Sequence, residues 1–266
     1  MQQNGKKIAL IGAGNVAWHL GQALAAAGHT ISYVYSRTAT HREALAAKLP
    51  AASPLAHLNL QHTATDCAII AVPDAALATV AQELQVPENA LVVHTSGSQP
   101  LQVLEQKPSI RAGVFYPLQT FSKEKPVDFS SIPILIEAQQ EQTRQELKAL
   151  AESLSQSVHM VSSEARKQLH VAAVFACNFT NHLLGISREI LQQANLPHEL
   201  LQPLIQETIA KATAFHPFIV QTGPAVRGDH NVLEEHLRLL QQQTGYRQLY
   251  ELLSASIAAT ASQPPQ

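Results

Sequence analysis

A glycine-containing turn close to the N-terminus is the feature that most constrains the fold of this chain. Residues 6–29 read KKIALIGAGNVAWHLGQALAAAGH, so a short apolar run passes through Gly12 and Gly14 into an alanine-rich helical pattern. In such a turn the first glycine permits a sharp bend, and the second lets a bound group approach the backbone. The third position, here Ala17, must be small for helix and strand to pack. This unit predicts a doubly wound α/β sheet.

The start of the predicted helix also suits a phosphate group, because a helix N-terminus offers free N–H groups and the positive end of the helix dipole. A glycine turn kept only for packing is the alternative. The position of this turn between an N-terminal strand and a helix favours dinucleotide binding. The residues expected to contact the dinucleotide here are Gly12, Gly14, Asn15 and Val16.

Apolar runs alternate with helical patterns through the first 160 residues. The runs are KKIALIG, TISYVYS, CAIIAV, ALVVHTS, RAGVFYP and IPILIEA, and this rhythm predicts a Rossmann-type, doubly wound parallel sheet. Beyond Ser163 only helical patterns follow, at about 164–195, 198–215, 230–243 and 245–260. We therefore predict an α/β domain over residues 1–160, an all-α domain over 161–262 and a frayed tail over 263–266.

The end of the second predicted strand indicates which dinucleotide is bound. NAD-binding proteins usually place an acidic residue there to bind the ribose 2′-hydroxyl, but no acid occurs from His29 to Arg42. Ser36, Arg37 and Thr38 stand there instead, and a guanidinium with hydroxyls suits a 2′-phosphate. NADP(H) is therefore the predicted cofactor, and a solvated surface position is the alternative for Arg37.

Two further strand ends should line the ligand crevice, which lies at the carboxyl ends of the strands in this architecture. Val72 and Pro73 are expected to border a ribose of the cofactor, whereas Asp74 can simply cap the next helix. The following strand ends in small polar residues that suit the nicotinamide amide or a substrate carboxylate. We assign Thr95, Ser96 and Gly97 to the cofactor and Ser98 to the substrate. A Ser/Gly turn before a helix is the alternative.

The overall composition argues against several classes of partner. The formal net charge is −2 and the pI is near 6.7, which gives no broad attraction for nucleic acid or anionic membranes. Cys67 and Cys177 lie in apolar stretches outside any metal-ligand spacing, as expected of a reduced, cytoplasmic protein. The N-terminus lacks a secretion-signal pattern. No stretch approaches about 18 uninterrupted apolar residues, so we expect no membrane span.

Polar side chains interrupt one apolar helix of the C-terminal half. Residues 166–185, RKQLHVAAVFACNFTNHLLG, are apolar around most of the circumference, which predicts a packed helix. At about 100° per residue, Lys167, His170, Asn178 and Asn181 fall on one stripe. Buried polar groups are costly unless they are paired or line a wet cavity. The stripe is therefore expected to face a substrate pocket between the two domains.

A second notable segment contains the loop TGPAVRGD, residues 222–229. Arg227 is a candidate substrate ligand, because a guanidinium binds a carboxylate with two hydrogen bonds. Asp229 is expected to cap the following helix. The histidines near this loop have irregular spacing, so no metal site is expected. The sequence also lacks a GxSxG nucleophile turn and a carboxylate pair of hydrolase spacing.

The glycine turn and the segments VPD, HTSGS, FYPLQTFS, RKQLHVAAVFACNFTNHL and TGPAVRGD together resemble a bacterial family of NADP oxidoreductases. Its members join a Rossmann-like domain to a helical C-terminal domain of undetermined function, similar to the C-terminal domain of 6-phosphogluconate dehydrogenase. Wider relatives are the pyrroline-5-carboxylate reductases, β-hydroxyacid dehydrogenases and deazaflavin-dependent NADP oxidoreductases. The resemblance implies an NADP(H) cofactor and a homodimer built through the C-terminal helices.

One position departs from these relatives. β-Hydroxyacid dehydrogenases carry a catalytic lysine followed four residues later by asparagine, whereas Val171 follows Lys167 at that spacing. Hydride transfer to a C=O or C=N carbon needs a proton donor beside the developing alkoxide or amine. Lys167 and His170 are both candidate donors, and Asn178 is expected to orient the substrate. Asn181 is a substrate contact or a support for helix packing.

The sequence therefore predicts an NADP-dependent reductase or dehydrogenase for a small, carboxylate-bearing carbonyl or imine compound. A non-catalytic NADP-binding sensor or partner-binding protein is the alternative, which the incomplete lysine and asparagine pattern favours. The apolar helix also supports a homodimer, because two helical domains packed together would bury its excess apolar surface.

Overall fold

The computed structural model describes residues 5–105 and 110–262, and the chain forms two compact units that divide between Cys177 and Asn178. The tail predicted over 263–266 lies outside the described residues. The boundary expected near residue 160 precedes the observed division. The difference arises because the helix that begins at Ser163 is tied to the first unit through Arg166, whose side chain is fully buried.

A single sheet forms the centre of the first unit. Its strands are β1 (Lys7–Ile11), β2 (Thr30–Tyr35), β3 (Ser53–Leu55), β4 (Cys67–Ile70), β5 (Leu91–His94), β6 (Arg111–Pro117), β7 (Ile134–Glu137) and β8 (Val158–Met160). They lie in the order β3-β2-β1-β4-β5-β6-β7-β8. The predicted Rossmann-type α/β sheet is confirmed. One difference is that β7 pairs antiparallel with β6, because residues 118–133 connect them without an α-helical crossover.

Helices cover both faces of this sheet. They are α1 (Asn15–Ala26), α2 (Ala39–Ala46), α3 (Asp74–Glu83) and α4 (Glu141–Glu152). Ile8 of β1 belongs to one core cluster with Leu20 of α1, and its neighbour Ala9 belongs to a second cluster with Leu77 of α3. Because both faces are buried, the strands read as continuous apolar runs in the sequence.

A long helix runs from Ser163 to Gln193, close to the predicted bounds. It consists of α5 (Ser163–Ala173), a π-helical turn (Val174–Phe179) and α6 (Thr180–Gln193). The expected single stripe of polar residues assumed a regular α-helix. A π-helical turn contains more residues than an α-helical turn, so the spacing of about 100° per residue does not hold across it. The positions on the stripe that regular α-helical spacing assigns to Asn178 and Asn181 are therefore wrong.

The remaining helices of the second unit are α7 (Gln202–Ala214), α8 (Pro224–Arg227), α9 (His230–Leu239) and α10 (Thr244–Ala261). The helical C-terminal part is confirmed, and the short α8 is an addition to the expected elements. Gly228 ends α8 with φ 68°, a left-handed conformation that glycine adopts without the penalty of a Cβ atom.

The long helix and the second unit leave much apolar surface uncovered within one chain. Phe175 is 66% exposed and Leu239 is 72% exposed, with Leu204 and Phe215 similarly open. The prediction that the long helix is packed all round is therefore wrong for a single chain. By length and composition alone, this helix could also cross a membrane. A single helix of this kind is weak evidence for a membrane span. Exposed apolar patches of this extent mark contact surfaces.

Candidate functional site

The turn between β1 and α1 has the geometry of a phosphate-binding turn. Gly12 donates its backbone N–H to the carbonyl oxygen of Tyr35 at 2.8 Å. Its φ is +130°, and a Cβ there would lie 2.0 Å from the carbonyl oxygen of Ala71, so glycine is required. A Cβ on Gly14, the N-cap of α1, would meet nothing within 4 Å. With Val16 only half-buried, the start of α1 borders open space in which an anionic group fits.

Asn15, expected to contact the cofactor, also anchors the loop that follows β6. Its side-chain amide donates to the carbonyl oxygen of Phe121 at 2.9 Å. Nε2 of His19 lies 2.8 Å from the carbonyl oxygen of Ser122. These contacts hold the FYPLQTFS segment against the first turns of α1. No local pattern in that segment predicts this contact, because Asn15 and Phe121 are far apart in the chain.

The segment after β2 carries the residues predicted to select NADP. Arg37 and Thr38 are exposed. The hydroxyl of Ser36 accepts the backbone N–H of Thr38 at 3.3 Å, and Arg42 donates from its guanidinium to the carbonyl oxygen of Ser36 at 3.1 Å. Arg42 therefore shapes this turn, while Arg37 presents its cation to solvent at the end of β2.

A side-chain hydrogen bond joins the residues that follow β4 and β5. The hydroxyl of Ser98 donates to the carboxylate of Asp74. Pro73 occupies the N-cap of α3 and Asp74 is its first residue, without a capping hydrogen bond from a side chain. The capping alternative for Asp74 is therefore wrong. Val72 is half-buried and Pro73 is exposed, so both reach the surface at the carboxyl ends of the strands.

The loop after β5 is shaped by its own polar side chains. The backbone N–H of Ser96 donates to Nδ1 of His94 at 3.1 Å, and the hydroxyl of Ser96 accepts the N–H groups of Ser98 and Gln99 at 3.2 and 2.9 Å. Burial, followed by the nearby Arg166 guanidinium, lowers the pKa of His94 to about 4. A neutral His94 thus serves as an acceptor that fixes the turn, which supports the turn interpretation of this segment.

An ion pair between the buried Arg166 and Glu137 contacts the loop after β5. Nη1 of Arg166 lies 2.5 Å from Oε2 of Glu137, and Nη2 donates to the carbonyl oxygen of Gln99 at 2.6 Å. The hydroxyl of Ser163 donates to Glu137 at 2.7 Å and accepts the N–H of Leu101 at 3.0 Å. This cluster was not predicted from the sequence. Arg166 lies in the polar first half of α5, between Glu164 and Lys167, so no local signal indicates its burial.

Tyr116 and His170 form a second pair, which contacts the loop after β5 at Gly97. The hydroxyl oxygen of Tyr116 lies 3.1 Å from Nδ1 of His170. Both residues are half-buried. A Cβ on Gly97 would lie 2.6 Å from that Nδ1, so the backbone of the loop packs directly on the pair. His170 was a predicted site residue, whereas Tyr116 was missed although it stands at a strand end.

The other predicted site residues are not brought together by the structure of either unit. Lys167 is exposed on α5, and Asn178 and Asn181 are exposed in the second unit. Thr95 donates its hydroxyl to the carbonyl oxygen of Ile70 at 3.4 Å. Arg227 donates to Oδ2 of Asp229 at 2.8 Å.

The contact between Arg227 and Asp229 corrects one sequence expectation. Asp229 does occupy the N-cap of α9, but its side chain makes no capping hydrogen bond and instead binds Arg227. The guanidinium predicted to bind a substrate carboxylate is therefore paired within its own chain. Among the described residues, no group of three metal-binding side chains could hold an ion.

Comparison with family models matches residues 1–119 to a Rossmann-like domain and residues 132–257 to a domain of unknown function, DUF2520. A solved structure from Bacteroides fragilis, described as a "putative NADP oxidoreductase", is 43% identical to this chain. The two align with a TM-score of 0.90 over 96% of this chain and 99% of the other. Comparison with curated proteins finds no match.

More distant structures share the fold. A protein from Thermotoga maritima is 24% identical and has a TM-score of 0.65, over 96% of this chain and 98% of its own. A reductive aminase from Aspergillus terreus, solved with NADPH and ethyl-5-oxohexanoate, is 13% identical and has a TM-score of 0.71, over 96% and 98% of the two chains. At this identity the similarity concerns the architecture alone.

Proposed function

This chain belongs to the family of NADP oxidoreductases that join a Rossmann-like domain to a DUF2520 domain, and from that premise we propose that it is an NADP-dependent reductase or dehydrogenase for a small carbonyl or imine compound. The observation that carries the proposal is the open glycine turn at the start of α1. Gly12 meets the backbone of Ala71 where any side chain would clash, whereas the space beside Gly14 is free.

In this proposal the backbone around Gly14 and Asn15 holds the pyrophosphate at the N-terminus of α1. Arg37, with Ser36 and Thr38, binds the 2′-phosphate. When bound, NADPH supplies a hydride to the substrate carbon. The remaining cofactor contacts come from the strand ends, at Val72, Pro73, Thr95, Ser96 and Gly97.

The protein supplies the proton and the orientation. His170 is favoured over Lys167 as the proton donor, because His170 contacts Gly97 of the loop after β5 whereas Lys167 is exposed on α5. Imidazole suits proton transfer near neutral pH. Ser98, Asn178, Asn181 and Arg227 stay predicted substrate contacts. Arg227 would have to exchange Asp229 for a substrate carboxylate.

The substrate class that we favour carries a C=O or C=N bond. The family relationship supports oxidoreductase chemistry, and two fold relatives from Aspergillus terreus are described as a reductive aminase and an imine reductase with NADPH-type ligands. Reduction of such a bond requires the two elements proposed here, a nicotinamide cofactor and a nearby proton donor.

Calorimetric titration with NADPH tests the binding step. A leucine at position 14 would fill the free space, so Gly14→Leu should weaken NADPH binding at least about tenfold. Gly245→Leu is a matched control, since a Cβ there also meets nothing within 4 Å. Failure of the native protein to bind NADPH would refute the proposal. Binding without reduction of any keto acid or cyclic imine in a broad panel would favour the sensor alternative.

We further propose that the chain is a cytoplasmic homodimer whose second copy covers the apolar surface of the C-terminal helices. The exposed Phe175, Leu204 and Leu239 support this proposal, because burying apolar surface drives association. The histidines and asparagines of the long helix would be costly in hydrocarbon, so a protein partner suits it better than a bilayer.

A further inference from the structure

We propose that Tyr116 is a positioning residue for proton delivery, which fixes the tautomer of His170 and replaces the proton that His170 gives to the substrate. This inference rests on the function proposed above. Tyr116 is the penultimate residue of β6 and His170 lies on α5, so two rigid elements set their distance. Oη of Tyr116 and Nδ1 of His170 are 3.1 Å apart. The ring centroids are 6.1 Å apart and the planes meet at 74°.

The backbone at Gly97 packs against both rings of this pair. A Cβ at residue 97 would lie 2.6 Å from Nδ1 of His170 and 2.9 Å from Cζ of Tyr116. Neither ring can therefore move toward the loop after β5. Because that loop is proposed to contact the cofactor, the pair stands beside the place where the proton is needed.

The environment of the phenol keeps its proton available for donation. Burial raises the pKa of Tyr116 above its ordinary value of 10.0, with a smaller opposing effect of Arg166 and a further rise from Asp74. Tyr116 therefore keeps its proton at neutral pH, and in this proposal it donates to Nδ1 of His170. A neutral imidazole that accepts at Nδ1 carries its own proton on Nε2. Nε2 is then the atom that can donate to a substrate.

The proton transfer balances without a further reactant. As negative charge develops on the substrate oxygen or nitrogen, the Nε2–H bond of His170 breaks and a bond from that proton to the substrate atom forms. The O–H bond of Tyr116 breaks as its proton passes to Nδ1. The negative charge is then on the phenolate. After product release, Nε2 of His170 takes a proton from solvent and the Nδ1 proton returns to the phenolate, which restores Tyr116 and the starting tautomer. An alkoxide is a stronger base than a phenolate, so the transfer proceeds downhill.

Nitrogen-15 NMR of the histidine side chains tests the tautomer without any turnover. Loss of one signal set in His170→Gln identifies this residue among the 13 histidines. We expect the Nε2–H tautomer in the native protein and a mixture of tautomers in Tyr116→Phe. Tyr33→Phe, which removes a hydroxyl on β2, should leave the native pattern. A native Nδ1–H tautomer, or an unchanged pattern in Tyr116→Phe, would overturn the proposal.

Kinetics give a second readout that a merely structural tyrosine would not produce. With a substrate found in the panel, Tyr116→Phe should lower kcat at least about tenfold while KM stays within about twofold. Gly97→Ala, which displaces the His170 ring, should show the same loss. NADPH affinity of Tyr116→Phe should stay within about twofold of the native value. If the native protein fails to bind NADPH, the proposed function fails. If NADPH binds normally and Tyr116→Phe matches the native kcat, only this inference fails.

Discussion

At the scale of single residues, one exposed cation carries the predicted choice of cofactor. Arg37 lies at the end of β2 and is open to solvent, where the usual acidic residue of NAD-binding proteins is absent. We expect NADPH to bind at least about tenfold more tightly than NADH, or roughly 1.4 kcal/mol. Arg37→Ala should remove most of this preference, because only NADPH carries the 2′-phosphate. Equilibrium titrations with both nucleotides measure it.

A matched variant controls this measurement. Lys48→Ala removes an exposed cation just beyond the end of α2 and should leave the preference intact. Equal affinities of the native protein for NADPH and NADH, or an Arg37→Ala protein that binds NADPH as tightly as the native one, would contradict the assignment.

A buried histidine makes stability depend on pH. The pKa of His94 is about 4 in the folded protein, below the ordinary value of 6.5. Between these values the unfolded chain binds a proton that the folded chain does not, so stability rises with pH. The contribution is fully present above about pH 6.5 and is lost as pH falls toward 4. Its size is on the order of 3 kcal/mol.

Urea unfolding at several pH values between about 4.5 and 7.5 measures this effect. His94→Gln should flatten the profile relative to the native protein. His62→Gln, which replaces an exposed histidine, should leave the profile parallel to it. Parallel profiles for the native protein and His94→Gln would show that His94 does not titrate as proposed.

At the scale of secondary-structure elements, the ion pair of Arg166 and Glu137 joins α5 to β7. The Arg166 side chain is 0% exposed and that of Glu137 is 19% exposed. Removing the carboxylate leaves a buried guanidinium without its counter-charge, which is strongly unfavourable. Glu137→Gln should therefore lower the free energy of unfolding by about 3 kcal/mol. Urea unfolding monitored by circular dichroism checks it.

An exposed pair of the same chemistry provides the control. Glu141 contacts Arg144 at 2.7 Å on the surface of α4, and exposed pairs contribute about 1 kcal/mol or less. Glu141→Gln should therefore change stability little. If the two substitutions had equal effects, the pair at Arg166 would not be the connection between α5 and the sheet that its burial indicates.

At the scale of the whole molecule, we propose that a second copy of the chain covers the apolar surface of the C-terminal helices. Light scattering at micromolar concentration should give twice the chain mass of 28.8 kDa. Phe175→Glu, which introduces a charge on a 66% exposed aromatic position, should shift the protein toward a monomer. Gln192→Glu introduces the same charge at an exposed polar position of α6 and should leave the dimer intact.

Two results would contradict this prediction. A native protein of one chain mass would mean that no second copy covers the helices. A protein that is recovered with membranes and released only by detergent would mean that the bilayer covers them, and that the polar residues of the long helix are accommodated there.

Local sequence was sufficient for the turn and the sheet. A glycine with φ +130° against the carbonyl of Ala71 is a requirement of the backbone, and strands buried on both faces are visible as apolar runs. The helical C-terminal part was predictable because helical periodicity is also a local pattern. These features depend on residues close together in the chain.

The pairs that define the candidate site were decided only by tertiary structure. Tyr116 and His170 are 54 residues apart, and Glu137 and Arg166 are 29 apart, so neither pair has a local signature. The π-helical turn at Val174–Phe179 also escaped prediction, because an extra residue in one helical turn leaves composition unchanged. The sequence determined which elements form, whereas packing of α5 against β6 and β7 determined which polar side chains meet, since hydrogen bonds and ion pairs depend on distances that local patterns do not specify.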